Sequence, residues 1–514
     1  MGFNPIDVRR KAIAMATGVR FAGILMMNKT KSHLLISFVT QYAELIIQFI
    51  GVLMLSRILS PGETGTYSVA AFLMTLLHVF RDFGVVRYVI QEQELTAEKI
   101  RSAFGVAIIL AWVVALILFI SSNLIANLYR TPEIREILVV MSASFAATPL
   151  GSLLTALFRR EMQFQKILIT KISSAVCQVS VSVLLAYRGY GAISLAWGNF
   201  AGILAFGIVA TLMRSPATPW LPRFTNVREI LSFGGISSLG TLANVAGTNA
   251  PDVILGKVID LAAAGYFSRA NGLIQLFKTL VTGTAMPLIL PYFAQLRRES
   301  GDFLTPYRLA VSNLTAMAWP FFAVMALLAF PVVRTLYGDQ WDVSVPLVRI
   351  LCVAGAISAL STFAGEVMIA NGGVRSMTVG FVISSVVRII AILGASLNGL
   401  PAVAVAVVIS EGISLVVTSH FLHKATGIKL TDVIRDTRKS AVVTGCSIVI
   451  PAIVTISAID SSASHWLTMI CGLAGAFAGW VIGLAWTNHP MKQHVYQIYG
   501  YLIKIRLGQS IRDS

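Results

Sequence analysis

Residues 37–68 read SFVTQYAELIIQFIGVLMLSRILSPGETGTYS, and residues 237–268 read SSLGTLANVAGTNAPDVILGKVIDLAAAGYFS. With a constant shift of 200 positions the two stretches align without a gap, Arg57 on Lys257, Gly65 on Gly265, Tyr67 on Phe267 and Ser68 on Ser268. Polar residues keep their places within otherwise apolar text. Ser37, Gln41, Glu44 and Gln48 fall at i, i+4, i+7 and i+11, one face of a helix, as do Ser237, Thr241, Asn244, Thr248 and, continuing, Asp252. A narrow polar stripe on a hydrophobic helix is expected to face neighbouring helices or water. Stripes at matching places in two halves are expected to line opposite walls of one central space.

The chain of 514 residues is 56% hydrophobic and only 12% charged, against about 25% charged in soluble domains. No soluble core accommodates that excess, so lipid is the expected solvent. Windows of about 20 apolar residues recur along nearly the whole length, each able to cross roughly 30 Å of hydrocarbon. The ten-residue alternating strands of a membrane barrel are missing. The fold class that follows is an all-α polytopic membrane protein with about fourteen spans. Cys177, Cys352, Cys446 and Cys471 all lie in apolar text without CxxC spacing and read as packing residues. Near the N-terminus the apolar run is short and interrupted with no small-residue cleavage site, so no removable signal peptide is expected. Arg9, Arg10, Lys11 and Arg20 alternate with apolar residues there, which fits both an amphipathic helix on an anionic membrane face and a basic tail.

The breaks between windows divide the chain into a basic segment at 1–31, a six-span unit at 32–213, a connector at 214–228 and a second six-span unit at 229–424. A basic linker at 425–439, two spans at 440–486 and a tail at 487–514 follow. The text KISSAVCQVSVSVLLAYRGYGAISLA from Lys171 echoes FVISSVVRIIAILGASLNGLPAVAVA from Phe381 with one slip, so the repeat extends beyond its opening helices. Six spans per unit give both units the same membrane orientation, hence two parallel bundles with a pseudo-two-fold axis along the membrane normal and a site between them. The net charge of +17 is mainly an orientation signal. With both termini cytoplasmic, about 27 Lys and Arg fall on cytoplasmic segments and about 6 on outer loops. Nucleic acid is not the expected partner.

Several ionisable residues fall inside the windows. His78, Arg81 and Asp82 share a face, Lys171 runs in register with Ser174 and Gln178, and Arg269 is followed by the stripe Asn271, Gln275 and Lys278. Arg349, Glu366, Arg388 and Glu411 lie in later spans. A charged side chain at mid-bilayer costs about 2.5–3.5 kcal/mol on insertion scales, so such residues tend to face a cavity. Each also has a structural reading: Arg81 with Asp82 as a neutralising pair, Lys278 as a cation reaching the interface. Cations outnumber carboxylates, however, where structural pairs alone would balance. An electropositive cavity suited to a phosphate or diphosphate follows. No P-loop, GxSxG, HExxH or CxxC pattern is present, so neither enzymatic catalysis nor a metal or other cofactor is expected.

Two six-span bundles, two extra spans and the segment Leu59, Pro61, Glu63, Gly65, Tyr67 after the first helix resemble the polysaccharide-transport (Wzx-type) branch of the MOP flippase superfamily. The second half keeps Gly265 and Phe267 but has Leu261 and Ala263 where Pro and Glu would fall. The resemblance implies a flippase of the bacterial inner membrane. It would carry undecaprenyl-diphosphate-linked oligosaccharide between leaflets by alternating access, through a cavity whose cations attract the lipid diphosphate. On the helix reading those cations are Arg81, Arg269, Lys278, Arg388 and Lys171, with Glu44 or Asp82 available to a coupling ion. It also implies membrane lipid, a polysaccharide polymerase and a chain-length regulator as partners, and a two-lobed cavity is complete in a monomer. A multidrug or cation antiporter of the same superfamily is the alternative, for which carboxylates and aromatics should line the cavity. A peptidoglycan-precursor flippase and a non-transporting membrane scaffold are the others.

Overall fold

A computed structural model of the chain describes residues 36, 38–81, 85–92, 94–216, 219, 221–224, 235–299, 302–460 and 464–493. The basic segment expected at 1–31 lies outside them, as do Ser37 and Asp82, while Arg81 and Ser237 are placed in helices without their side chains being described. Among the described residues the chain is helical apart from turns and short connections and forms no strand.

The first half comprises α1 (Phe38–Ile58), then α2 (Pro61–Arg81), α3 (Val85–Gln91), α4 (Ala97–Tyr129), α5 (Pro132–Ala147), α6 (Pro149–Arg160), α7 (Phe164–Tyr187) and α8 (Ile193–Leu212). In the second half α9 (Gly235–Val258) leads to α10 (Leu261–Phe277), a π-helical turn (Lys278–Thr282), α11 (Gly283–Arg298), α12 (Leu304–Leu327) and α13 (Ala329–Leu336). After these come α14 (Ser344–Ser358), α15 (Ala364–Ala370), α16 (Val374–Ser396) and α17 (Leu400–Thr426), followed by the short α18 (Leu430–Asp436), α19 (Arg438–Asp460) and α20 (His465–Trp486). Nine described helices are long and apolar enough to cross a bilayer, ten if α5 and α6 count as one span bent by 44°. Pro149 opens α6 at that bend, where its ring cannot continue the preceding helix. The expected fourteen include windows that the backbone divides, such as the one split by the π turn at Lys278 and the one ending at Ser358 before α15 resumes.

Large apolar side chains face outward. Trp112, Leu116, Ile120 and Leu124 form one exposed row on α4, Leu124 at 72% exposure, an arrangement stable only if lipid replaces water. Many of the buried hydroxyls bond within their own helices: Ser102 donates to Glu98 O at 3.0 Å and Thr170 to Lys166 O at 2.6 Å. The last two long helices dock on the second half, where the Trp480 indole N–H donates to Ala316 O of α12 at 2.7 Å.

The two halves meet along α2 and α10. A Cβ on Gly65 would stand 1.6 Å from Leu261 O, and a Cβ on Gly265 would stand 2.0 Å from Pro61 O. Pro61 and Leu261 are themselves equivalents in the 200-position repeat, so the contact is reciprocal, as across a two-fold interface. One turn further, Ser68 Oγ donates to Ser268 Oγ at 3.0 Å, partners 200 positions apart. The pseudo-two-fold axis therefore passes between equivalent residues. Two further contacts repeat the symmetry at the same end of the bundle: Arg57 donates to Thr335 O near the C-terminus of α13 at 2.7 Å, and its counterpart Lys257 donates to Leu128 O near the C-terminus of α4. Cations at exposed helix C-termini complement the carbonyls and dipole there.

Candidate functional site

Of the α9 stripe, Thr248 and Asp252 line cavities in the interior. Gln41 of α1 reaches the second half, its Nε2 lying where a Cβ on Gly283 would be 3.1 Å away, and the neighbouring Tyr42 hydroxyl donates to Leu280 O at 3.2 Å. Glu44 Oε2 accepts from Lys171 Nζ of α7 at 2.6 Å, and Gln48 Nε2 donates to Gln178 Oε1 at 3.2 Å. The α1 stripe thus faces α7 and the opposite half rather than lipid.

A cavity of about 280 Å3 opens between the halves, lined by Gln48, Gln178, Ser68 and Thr75 from the first and by Asn249, Asp252, Ser268 and Arg269 from the second. Arg269 lies over two aromatic rings, 5.4 Å from the Trp341 ring centre and 5.9 Å from that of Tyr337. Such stacking holds a guanidinium through the ring quadrupole while leaving its edge for a ligand. Its Nε is buried without a hydrogen-bond partner. Trp341 is fixed in turn, its indole N–H donating to Ser56 O at 2.8 Å.

A second, narrower cavity lies deeper in the second half, walled by Thr248 of α9, Asn271 and Gln275 of α10, Lys278 of the π turn, Arg388 of α16 and Glu411 of α17. Arg388 Nη2 donates to Glu411 Oε1 at 2.6 Å, with side chains 14% and 15% exposed. The irregular turn is what places Lys278 there: π segments re-aim one residue relative to the preceding helix.

Of the residues expected from sequence, the structure groups Gln48, Asp252 and Arg269 around the first cavity. Thr248, Asn271, Gln275, Lys278 and Arg388 surround the second. Lys171 and Glu44 form a separate pair, while Thr241 and Asn244 are exposed one to two turns from Thr248 on the same helix. Arg81, Ser37, Ser237 and Asp82 contribute no described side chain. Two of the expected cations, Lys171 and Arg388, are ion-paired, whereas among the described residues Arg269 and Lys278 are not. Sequence reading missed Glu411 as the partner of Arg388 and missed Tyr337 and Trp341 as the platform for Arg269. No spacing rule ties a cation to aromatics some 70 positions away, though Tyr337 and Trp341 stand at i, i+4 in a polar interruption, which is a weak signal of its own.

Three comparisons bear on this geometry. The family described as Polysaccharide biosynthesis protein matches residues 54–346, more than half of the chain. The chain is 26% identical over 324 residues to the Succinoglycan biosynthesis transport protein ExoT of Rhizobium meliloti (strain 1021), covering 62% of this chain and 64% of that one. It is 22% identical over 326 residues to the Lipopolysaccharide biosynthesis protein WzxC of Escherichia coli (strain K12), covering 62% and 65%. The match therefore spans just under two thirds of the length of either relative. Among solved structures, the Lipid II flippase MurJ in an inward closed conformation superposes with a TM-score of 0.71 at 14% identity, over 87% of this chain and 97% of that one. An inward-facing multidrug resistance MATE family transporter of the MOP superfamily gives 0.59 at 13% identity, over 76% and 96%. At such identities the likeness is one of fold.

Proposed function

The chain belongs to the polysaccharide biosynthesis protein family, and from that premise we propose that it moves a lipid-linked oligosaccharide, carried on undecaprenyl diphosphate, across the bacterial inner membrane by alternating access. The observation that carries this reading is a polar-lined, cation-bearing cavity lying between two symmetry-related halves of an otherwise apolar chain. Sugar hydroxyls cannot cross about 30 Å of hydrocarbon without replacement hydrogen bonds. Gln48, Gln178, Asn249 and Thr75 offer such replacements at the cavity wall. Arg269, with Lys278 and Arg388 deeper, supplies charge for the diphosphate. Lys171 and Arg81 are assigned to the approach of the headgroup from the first half, and Glu44, hydrogen-bonded to Lys171, is available to a coupling ion.

In the proposed orientation both termini are cytoplasmic, so the seam at Gly65 and Gly265 closes the outer end and the resting cavity is filled from inside. Opening that seam while closing the inner side delivers the headgroup outward; the isoprenoid tail stays in lipid. Polymerase and chain-length regulator would take the unit on the far side.

Deleting the gene in a strain without a paralogue is expected to abolish one surface polysaccharide and leave its lipid-linked unit on the cytoplasmic leaflet. Complementation with Arg269→Gln should restore less than about a tenth of the polymer. Normal polymer in the deletion strain refutes the proposal. A cation exporter would instead leave polymer intact and lose drug efflux, and a scaffold would tolerate Arg269→Glu with Arg388→Glu.

A further inference from the structure

Three arginine–carboxylate pairs in this molecule invite comparison. Arg334 engages both oxygens of Asp342 through Nε and Nη2 at 2.7–3.1 Å. Arg308 likewise engages both oxygens of Asp436 through Nε and Nη2. These are the two-pronged pairs that give an arginine–carboxylate contact its strength. Arg388, the driest of the three, gives Glu411 only Nη2 and leaves its Nε buried without a partner. A buried pair built for stability needs its donors satisfied to offset desolvation, and this one is single-pronged with a donor left over.

Its surroundings are also unlike those of a structural pair. Lys278, free of any ion pair among the described residues, lines the same cavity, together with the neutral donors Thr248, Asn271 and Gln275. With Glu411 in place the cluster carries one net positive charge; without it, two. A diphosphate brings at least two negative charges and several acceptor oxygens, enough to take both the unused edge of Arg388 and the Lys278 ammonium.

We propose that Glu411 is a resident stand-in for the cargo phosphate, holding Arg388 while the cavity is empty and yielding it when a diphosphate enters; this rests on the lipid-diphosphate reading above. Glu411 lowers the charge of the empty cluster from two to one. It weakens binding by the amount needed to displace it, which favours release on the far side.

The test is binding of farnesyl diphosphate and, separately, inorganic pyrophosphate to the full chain purified in detergent. Glu411→Gln keeps shape but removes the competing charge and is expected to bind farnesyl diphosphate about tenfold tighter than wild type, while Arg388→Gln binds it about tenfold more weakly. A gain with both probes assigns the contact to the diphosphate group wherever it comes from, and a gain with farnesyl diphosphate alone assigns it to a lipid headgroup; either supports the proposal. Should Glu411→Gln fail to fold, Glu411→Asp, which withdraws the carboxylate by one methylene, is expected to tighten binding several-fold in the same direction. Unchanged or weaker binding by the Glu411 variant, with Arg388→Gln still impaired, overturns the stand-in and leaves the transport reading intact. No diphosphate binding by any form overturns both.

Discussion

Gly65 has no room for a side chain, because a Cβ there would fall 1.6 Å from Leu261 O, whereas one on Gly62 a turn earlier would meet nothing within 4 Å. Backbone cannot give way as a flexible side chain can, so Gly65→Ala is expected to pry α2 from α10 and lower stability by about 2 kcal/mol or more. Gly62→Ala, on the same helix, should be neutral or stabilising by a few tenths. Thermal unfolding of the two variants in detergent decides: equal midpoints would mean the seam is looser than drawn. At this scale the sequence announced the glycines and the stripes but not their partners. The spacing of Thr248 and Asp252 marked an inward face. The pairing of Lys171 with Glu44, 127 positions apart, and the seating of Arg269 on Trp341 depend on which helices are neighbours. No local period encodes that.

Helices were legible wherever apolarity and backbone agreed: α7 (Phe164–Tyr187) and α20 (His465–Trp486) are each one unbroken helix of apolar sequence. They were less legible where a helix breaks inside lipid-compatible text. Between α14 and α15 Ser358 Oγ donates to Gly355 O and Thr362 Oγ1 donates to Ser358 O, satisfying the turn locally while hydropathy stays high. The docking of the C-terminal helices depends on a buried histidine beyond the end of α20. His489 Nδ1 accepts from Met491 N–H at 3.1 Å, so its proton sits on Nε2, which lies 3.2 Å from both Ser312 Oγ and Ser440 Oγ. Burial, and secondarily the Lys439 ammonium, pushes its pKa down to about 4. Between pH 6.5, the ordinary histidine value, and about 4, the unfolded chain holds the extra proton, so stability is fully present above 6.5 and is lost as pH falls toward 4. A loss on the order of 2 kcal/mol is expected across that window in denaturant unfolding. His489→Gln should be flat there. Asp436 acts lower: its bond from Arg308 holds it below the usual carboxylate range, so its contribution persists to more acidic pH. An unchanged slope in His489→Gln would assign the acid sensitivity elsewhere.

For the whole molecule, a shift of 200 positions in sequence is a rotation in space: equivalent residues touch at Ser68 and Ser268, and equivalent cations, Arg57 and Lys257, each cap a helix of the opposite half. That relation was readable because turns, glycines and polar positions repeat together. If cargo passes between the halves, the seam must open once per cycle. The most direct measurement replaces the four native cysteines by alanine, introduces Ser68→Cys with Ser268→Cys, whose side-chain oxygens now lie 3.0 Å apart, and follows polysaccharide export under oxidation and reduction. The expected result is a cross-link that forms readily, stops export, and is reversed by reductant. Undiminished export by fully cross-linked protein would contradict a path between the two halves.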